Sequence, residues 1–176
     1  MYPKFISDSS SLILLTKSNL IEYVLKTAII IIPPKVYEES VERSKETGYK
    51  DAYEIDGLVI KKKIKMGKIN EKTAKKFEYM FRLTGGEKDS LALAFELKLP
   101  MLCDDKKGRS AAKALNVKIV SAISLLETLY SKKKINKNTA LKSLDKLQRY
   151  GWYKEDLIEH IRRKIENVKT NIPENT

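Results

Sequence analysis

Six acidic residues stand where a carboxylate has chemistry to do. Asp8 follows the short apolar stretch KFIS (4–7), and Glu39 lies within PKVYEESVERSK (34–45). Glu87 and Asp89 open TGGEKDSLALAFELK (84–98), and Asp104 and Asp105 close PMLCDD (100–105). Isolated buried carboxylates are costly unless they are paired, hydrogen-bonded or bound to a metal. Gathered bare in one place, such anions would raise one another's pKa, and a divalent cation removes that cost. An all-oxygen ligand set suits magnesium or manganese. A zinc cluster is excluded, because the chain holds one cysteine, Cys103, and one histidine, His160.

Each acid also has an ordinary explanation. Asp8 is a candidate helix cap, as are Ser9 and Ser10 beside it. Glu39 fits a solvated helix position. Glu87 stands three residues after Thr84, and on spacing alone it reads as the acid of a capping box. Asp89 comes after that position and shares a helical face with Ala92 and Leu93, which makes it an acid at the edge of a buried stripe. Asp104 and Asp105 fit turn positions in DDKKG. Cys103 reads as an apolar strand residue and His160 as a solvated residue on a helix flank.

The elements that must position these acids follow from periodicity. KFIS reads as a short strand, and SLILLTKSNLIEYVLK (11–26) as one or two helices. AIIIIP (28–33) is a β-branched run stopped by proline, the pattern of a fully buried strand. A helix over 34–45 comes next, with Pro34 near its first turn. GLVIKKKIK (57–65) reads as an edge strand blunted by lysines. NEKTAKKFEYMFRL (70–83) is helical, and the run Leu91–Phe95 makes the next helix a buried one. PMLCDD and VKIVS (117–121) read as strands around a short helix in GRSAAKALN (108–116). The alternation predicts an α/β fold with a mainly parallel sheet. Ligands of such sheets bind outside the carboxyl ends of the strands, where these acids would converge. Beyond Tyr130 no strand is predicted. Ala140, Leu141, Leu144 and Leu147 share one helical face, and Leu157, Ile158, Ile161, Ile165 and Val168 share another. The expected layout is an α/β domain over 1–130, a helical hairpin over 131–170 packed on it, and a disordered tail over 171–176.

The chain has 176 residues and a formal net charge of +12. The excess is concentrated in residues 61–84, where nine Lys and Arg face two Asp and Glu, and in the last third. A basic surface attracts polyanions; abundant lysine also serves solubility and heat tolerance. The longest apolar runs are too short to span a bilayer. The start has no basic segment leading into an apolar one, so no signal peptide is expected. One cysteine forms no intrachain disulfide, and the expected location is the cytoplasm, without a membrane partner.

The segments FISDSSSLI, IPPKVYEESV, TGGEKDSLALAFE and LPMLCDDKKGRSAAKALNVKIV, in that order, resemble the PIN-domain nucleases. The resemblance is to an uncharacterised prokaryotic branch related to the VapC-type toxin ribonucleases. The stretch KKINKNTALKSLDKLQRYGWYKEDLIEHI is similar to that branch's helical extension. The resemblance implies a three-layer α/β/α fold and a magnesium- or manganese-dependent endoribonuclease that hydrolyses RNA phosphodiester bonds. It implies Asp8, Glu39, Asp89 and Asp104 as the catalytic acids. Asp8, Asp89, Asp104, Asp105 and Glu87 are its implied metal ligands, and Ser10 supports them. The fourth acid is Asp104 or Asp105, with Asp104 favoured. Cys103 departs from the Thr or Ser common at the end of the fourth strand. Lys61, Lys62, Lys63, Lys106 and Arg109 would hold the RNA backbone. The resemblance also implies a toxin's role, with a small antitoxin-like partner or a homodimer. The alternative is a catalytically inactive module that binds RNA or protein. A haloacid-dehalogenase phosphatase needs a second aspartate where Ser10 stands, and a P-loop motif is absent.

Overall fold

Four consecutive isoleucines set the centre of the molecule. Ile29–Ile32 form β2, and its two neighbours are β1 (Lys4–Ser7) and β3 (Ile64–Met66). Beyond β1 lie β4 (Met101–Leu102) and β5 (Ile119–Val120). The strand order is β3-β2-β1-β4-β5 and every pairing is parallel. The structure is a computed structural model that describes residues 2–167.

Strand alternation divides the core in two. Ile30, Ile32 and Leu102 face one hydrophobic cluster, with Phe5 and Val120 packed against it. Ile6, Met101 and Cys103 face the other, with Ile31 and Ile119 against it. A parallel sheet buried on both faces needs helices on both. The first face is covered by α1 (Ser9–Lys17), α2 (Ile21–Leu25), α5 (Lys50–Ile60) and α9 (Ala122–Ser131). The second is covered by α6 (Glu71–Phe81), α7 (Gly85–Leu97) and α8 (Lys106–Ala114). This is the expected three-layer α/β/α arrangement. The last helices, α10 (Lys137–Tyr150) and α11 (Glu155–Asn167), send Ala140, Leu144, Leu147, Ile158, Ile161 and Ile165 into the first cluster. No helix among the described residues is long and apolar enough to cross a membrane.

Several local expectations differ from what the chain does. Gly57–Ile60 is not strand but the end of α5, whose Ala52, Ile55 and Leu58 form a buried helical stripe. Only the last two residues of the 57–65 segment pair, and with Met66 they form the edge strand β3. The 11–26 segment, by contrast, is two helices, within the one or two expected, broken between α1 and α2 where Asn19 adopts a left-handed φ of 59°. The helix expected over 34–45 has three parts: α3 (Pro34–Tyr37), a π-helical turn at Glu38–Glu42, and α4 (Arg43–Glu46). Thr84 stands at the N-cap of α7 but makes no side-chain capping hydrogen bond, so the Thr84–Glu87 capping box does not form. Leu157 is 39% exposed rather than part of the core. Val168 and the 171–176 tail lie outside the described residues.

Leu144 is fully buried. Leu144→Ala is expected to lower stability by about 2–5 kcal/mol, the usual cost of a cavity in a close-packed core. Denaturant unfolding should show one shifted transition, because α10 shares the core of the sheet. A separate early transition for the last two helices would contradict that.

Candidate active site

The strand order reverses between β1 and β4: β2 and β3 build outward on one side, β5 on the other. Such a switch point opens a crevice at the carboxyl edge of a parallel sheet. Asp8 directly follows β1, and Asp104 with Asp105 lies just past β4. Three acids thus flank the crevice by topology alone.

Asp8 caps α1. Its Oδ1 accepts the Ser11 N–H at 2.7 Å, with the Ser10 hydroxyl at 3.5 Å. Its Oδ2 is buried and has no hydrogen-bond partner. Burial pushes the Asp8 carboxyl from 3.8 up to about 6; the Ser11 N–H opposes the rise and the charge of Asp104 adds to it. The Cys103 thiol lies beside Asp8, where as a weak donor it opposes the rise of that carboxyl, and it also reaches the Asp105 carbonyl at 3.7 Å.

Glu87, in the first turn of α7, turns toward the same place. Its Oε1 is buried and unpartnered. Burial raises its carboxyl to about 7, and the charges of Asp105 and Asp8 contribute to the rise. A β-carbon built on Gly108 would stand 2.7 Å from Glu87 Oε1 and 2.7 Å from Cys103 Sγ. The absent side chain at 108 is what leaves room for both. Asp105 caps α8, its Oδ2 accepting from the N–H groups of Lys107 (2.6 Å) and Gly108 (3.0 Å). Burial works against its charge, but these donors outweigh it and hold the carboxyl below its ordinary value.

Asp104 points elsewhere, and both of its oxygens are taken. Oδ1 accepts from the Tyr153 hydroxyl, and Oδ2 from the Ser11 hydroxyl at 3.0 Å. The Ala122 N–H reaches both oxygens at 3.2 Å. Ser11 closes the loop by accepting the Asp104 N–H at 3.0 Å. A chain of hydrogen bonds therefore runs from Tyr153 through Asp104 and Ser11 to Asp8. Burial, with the charge of Asp104, holds the Tyr153 hydroxyl well above its ordinary pKa.

Glu39 and Asp89 form an adjoining pair. Glu39 lies in the π turn and accepts from the Ser9 hydroxyl (2.5 Å) and the Gly86 N–H (2.9 Å). A β-carbon on Gly85 would collide with Glu39 Oε1, and one on Gly86 would stand 2.6 Å from Oε2. The two glycines let the carboxylate rest on the amino end of α7, where backbone N–H groups favour an anion. Asp89 is buried; burial raises its pKa, the Lys88 ammonium 3.9 Å away opposes this, and Glu39 adds to it. Residues two apart on a helix do not share a face. Glu87 accordingly looks to Asp8 and Asp105, while Asp89 looks to Glu39.

The structure brings Asp8, Glu87 and Asp105 into one electrostatic group, sets Asp104 beside it as a hydrogen-bonded hub, and places Glu39 and Asp89 next to it. Among the described residues, no set of three or more His, Cys, Asp or Glu is placed to hold a metal ion. What fits a cation is the pair of buried oxygens without donors, on Asp8 and Glu87. Ser9, Ser11 and Tyr153 are not foreseen from the sequence. The serine run signals caps without naming their partners, and nothing local marks Tyr153, which lies 49 residues from Asp104. Of the basic candidates, Lys106 and Arg109 lie on α8 beside the acids. Lys61, Lys62 and Lys63 precede β3 and so stand at the opposite, amino edge of the sheet, with Lys63 paired to Glu22 at 3.0 Å.

A family model described as DUF3368, a PIN domain, matches residues 4–167. The chain belongs to the PIN-domain family. The match spans the sheet and both closing helices, so α10 and α11 lie within the family's own extent. No curated protein compared with the chain matches it. PIN domains are generally nucleases, hence hydrolases, and typically use divalent metals.

Two tests probe the electrostatics of this PIN domain. The folded chain holds the Asp8 proton up to about pH 6, and the unfolded chain releases it near 4. Ionising Asp8 therefore costs folded-state stability as pH rises across that window, with no cost below it and the full cost above it. A gap of about two units corresponds to roughly 3 kcal/mol. In chelator, Asp8→Asn should be more stable than the parent chain by up to that amount at pH 8 and no more stable at pH 4; urea titrations showing equal pH slopes would refute this. Tyr153→Phe should cost about 1–3 kcal/mol, since it removes a charge-assisted donor from a part-buried carboxylate.

Proposed function

We propose that this PIN domain is a metal-dependent endoribonuclease that hydrolyses RNA phosphodiester bonds. The observation that carries the proposal is the pair of buried, donor-free carboxylate oxygens, Asp8 Oδ2 and Glu87 Oε1, beside the switch-point crevice. Anionic oxygens in such places are stable only with a cation or a proton, and each group's raised pKa expresses that need. Asp8 and Glu87 would hold the metal, with Asp105 beside Glu87, and an oxygen-only set suits magnesium or manganese. When bound, the ion lowers the pKa of a coordinated water and neutralises charge on the scissile phosphate.

The chain's own residues supply the rest. Asp104 orients rather than binds: held by Tyr153, Ala122 and Ser11, it fixes the amino end of α1 and so the direction of Asp8. On this reading the fourth-acid role falls to Asp105, where the resemblance favours Asp104, and of the two expected ligands Glu87 and Asp89 it is Glu87 that shares the metal with Asp8. Glu39 locks the start of α7 to the π turn, which sets the rotation of Glu87. Asp89, buried and raised, is placed to carry a proton beside Glu39. Lys106 and Arg109 would meet the RNA backbone. A toxin's role in the cytoplasm, with a small antitoxin-like protein or a second copy over the crevice, belongs to the same proposal and rests on the VapC-like motif order. A second reading, a PIN fold that binds without cutting, draws on the saturation of Asp104 by protein donors.

Cleavage of varied RNAs with magnesium or manganese tests the proposal. Asp8→Asn and Glu87→Gln should each cost at least about 100-fold, the equivalent of roughly 3 kcal/mol of transition-state stabilisation. Undiminished cleavage in both variants would place the activity elsewhere. Salt-sensitive RNA binding with no cleavage under any metal would establish the second reading.

A further inference from the structure

Of the six acids, Asp89 alone has an ammonium within ion-pair distance among the described residues. Lys88 Nζ stands 3.9 Å from its Oδ1. That nitrogen is not free to swing away. It also donates to Glu78 Oε2 at 3.0 Å, and the Lys88 side chain is only 20% exposed. Glu78 lies on α6 and Lys88 on α7, so the ammonium is pinned between two helices of the second face. Lys35, in the first turn of α3, adds another positive charge that bears on Asp89.

The Glu39–Asp89 half of the site thereby has what the Asp8–Glu87 half lacks. Both Glu39 oxygens accept from protein donors, Oε1 from the Gly86 N–H and Oε2 from the Ser9 hydroxyl. Asp89 has its ammonium. Asp8 Oδ2 and Glu87 Oε1 have no donor, and no lysine or arginine among the described residues is ion-paired with either acid. Phosphodiester chemistry is often run with two ions about 3.5–4 Å apart that share the scissile phosphate, and six acids around one crevice invite that arrangement. A divalent ion settles where anions are otherwise uncompensated. Beside Asp89 it would meet a fixed like charge, and Asp89 is buried, where such repulsion is poorly screened.

We infer that Lys88 stands in the place of a second metal ion, so that the chain binds a single divalent cation, at Asp8 and Glu87. The inference deepens the nuclease reading and rests on it for the first ion. The positive charge on the Glu39–Asp89 side is then part of the chain and is present at any metal concentration. An ammonium neutralises charge but does not coordinate water, so the two halves of the site are chemically unequal.

Manganese gives a direct count, because the spin-resonance lines of the free aqua ion fade when it binds. The metal-stripped full chain is titrated with manganese alone, without RNA. The expected result is one ion per chain. Asp8→Asn should weaken its binding at least about tenfold, a loss usual even for indirect partners of a metal ligand. Asp89→Asn should leave it within about threefold, the size of losing a nearby charge that is not a ligand. Lys88→Gln should admit a second, weaker ion, and adding Asp89→Asn to that variant should remove it again. Thermal melts check that each variant keeps the fold. Two ions on the parent chain overturn the inference and leave the nuclease reading standing, as does a loss in Asp89→Asn equal to that in Asp8→Asn. A Lys88→Gln chain that still takes one ion overturns it too, since nothing was then held out by the ammonium. No ion bound even in millimolar excess overturns the metal-dependent reading itself, and this inference with it.

Discussion

Asp8 is a charge with almost no water. It is 2% exposed, and one of its two oxygens has no donor. Removing an anion from water costs far more than one hydrogen bond returns. The surroundings are arranged around that deficit. Ser11 gives its N–H to Asp8 and its hydroxyl to Asp104. Asp104 is stabilised locally by Tyr153 and Ala122, which spread its charge and limit the repulsion it adds. Gly108 keeps a side chain out of the space beside Cys103 and Glu87. The remaining deficit is the part a ligand would meet, and two raised carboxyls face it together.

The strongly basic chain and the acidic crevice are two parts of one electrostatic design. Thirty-five Lys and Arg against 23 Asp and Glu draw a polyanion to the surface. The acids would repel it at close range unless they were neutralised, by protons or by a cation. Long-range attraction and short-range selectivity are thereby separated. The same chain can gather nucleic acid broadly and still admit it to the crevice only under the right ionic conditions.

Much of this was legible in the sequence. A β-branched run ended by proline gave β2, and acids after two apolar strands gave the crevice, because parallel sheets place strand ends on one edge. The motif order gave the family. The errors have physical causes. Gly57 and the lysine run hid the helical period of Ala52, Ile55 and Leu58. The Thr84–Glu87 spacing is that of a capping box, but Glu39 of a distant helix already occupies the amino end of α7 through the Gly86 N–H. The helix α9 carries its own serine cap, Ser121, reciprocated by Ser124, yet its apolar run follows a strand with no turn residue between them, so nothing local marks where the strand ends and the helix begins. Glu87 and Asp89 could not be told apart without knowing how α7 is rotated, and Tyr153 could not be found without knowing where α10 ends.

The π turn at Glu38–Glu42 has a consequence for how this chain tolerates change. A π turn behaves as one residue inserted into an α-helix. Its effect is local: losing one residue between Tyr37 and Arg43 would let an ordinary helix re-form, the α-helical segments on either side keeping their facing while the wide turn between them is lost. Glu39 sits within that turn, and the backbone that carries it to Ser9 and the Gly86 N–H would be redrawn. Length in this stretch is therefore as constrained as composition, and a single-codon deletion here would do more harm than many substitutions.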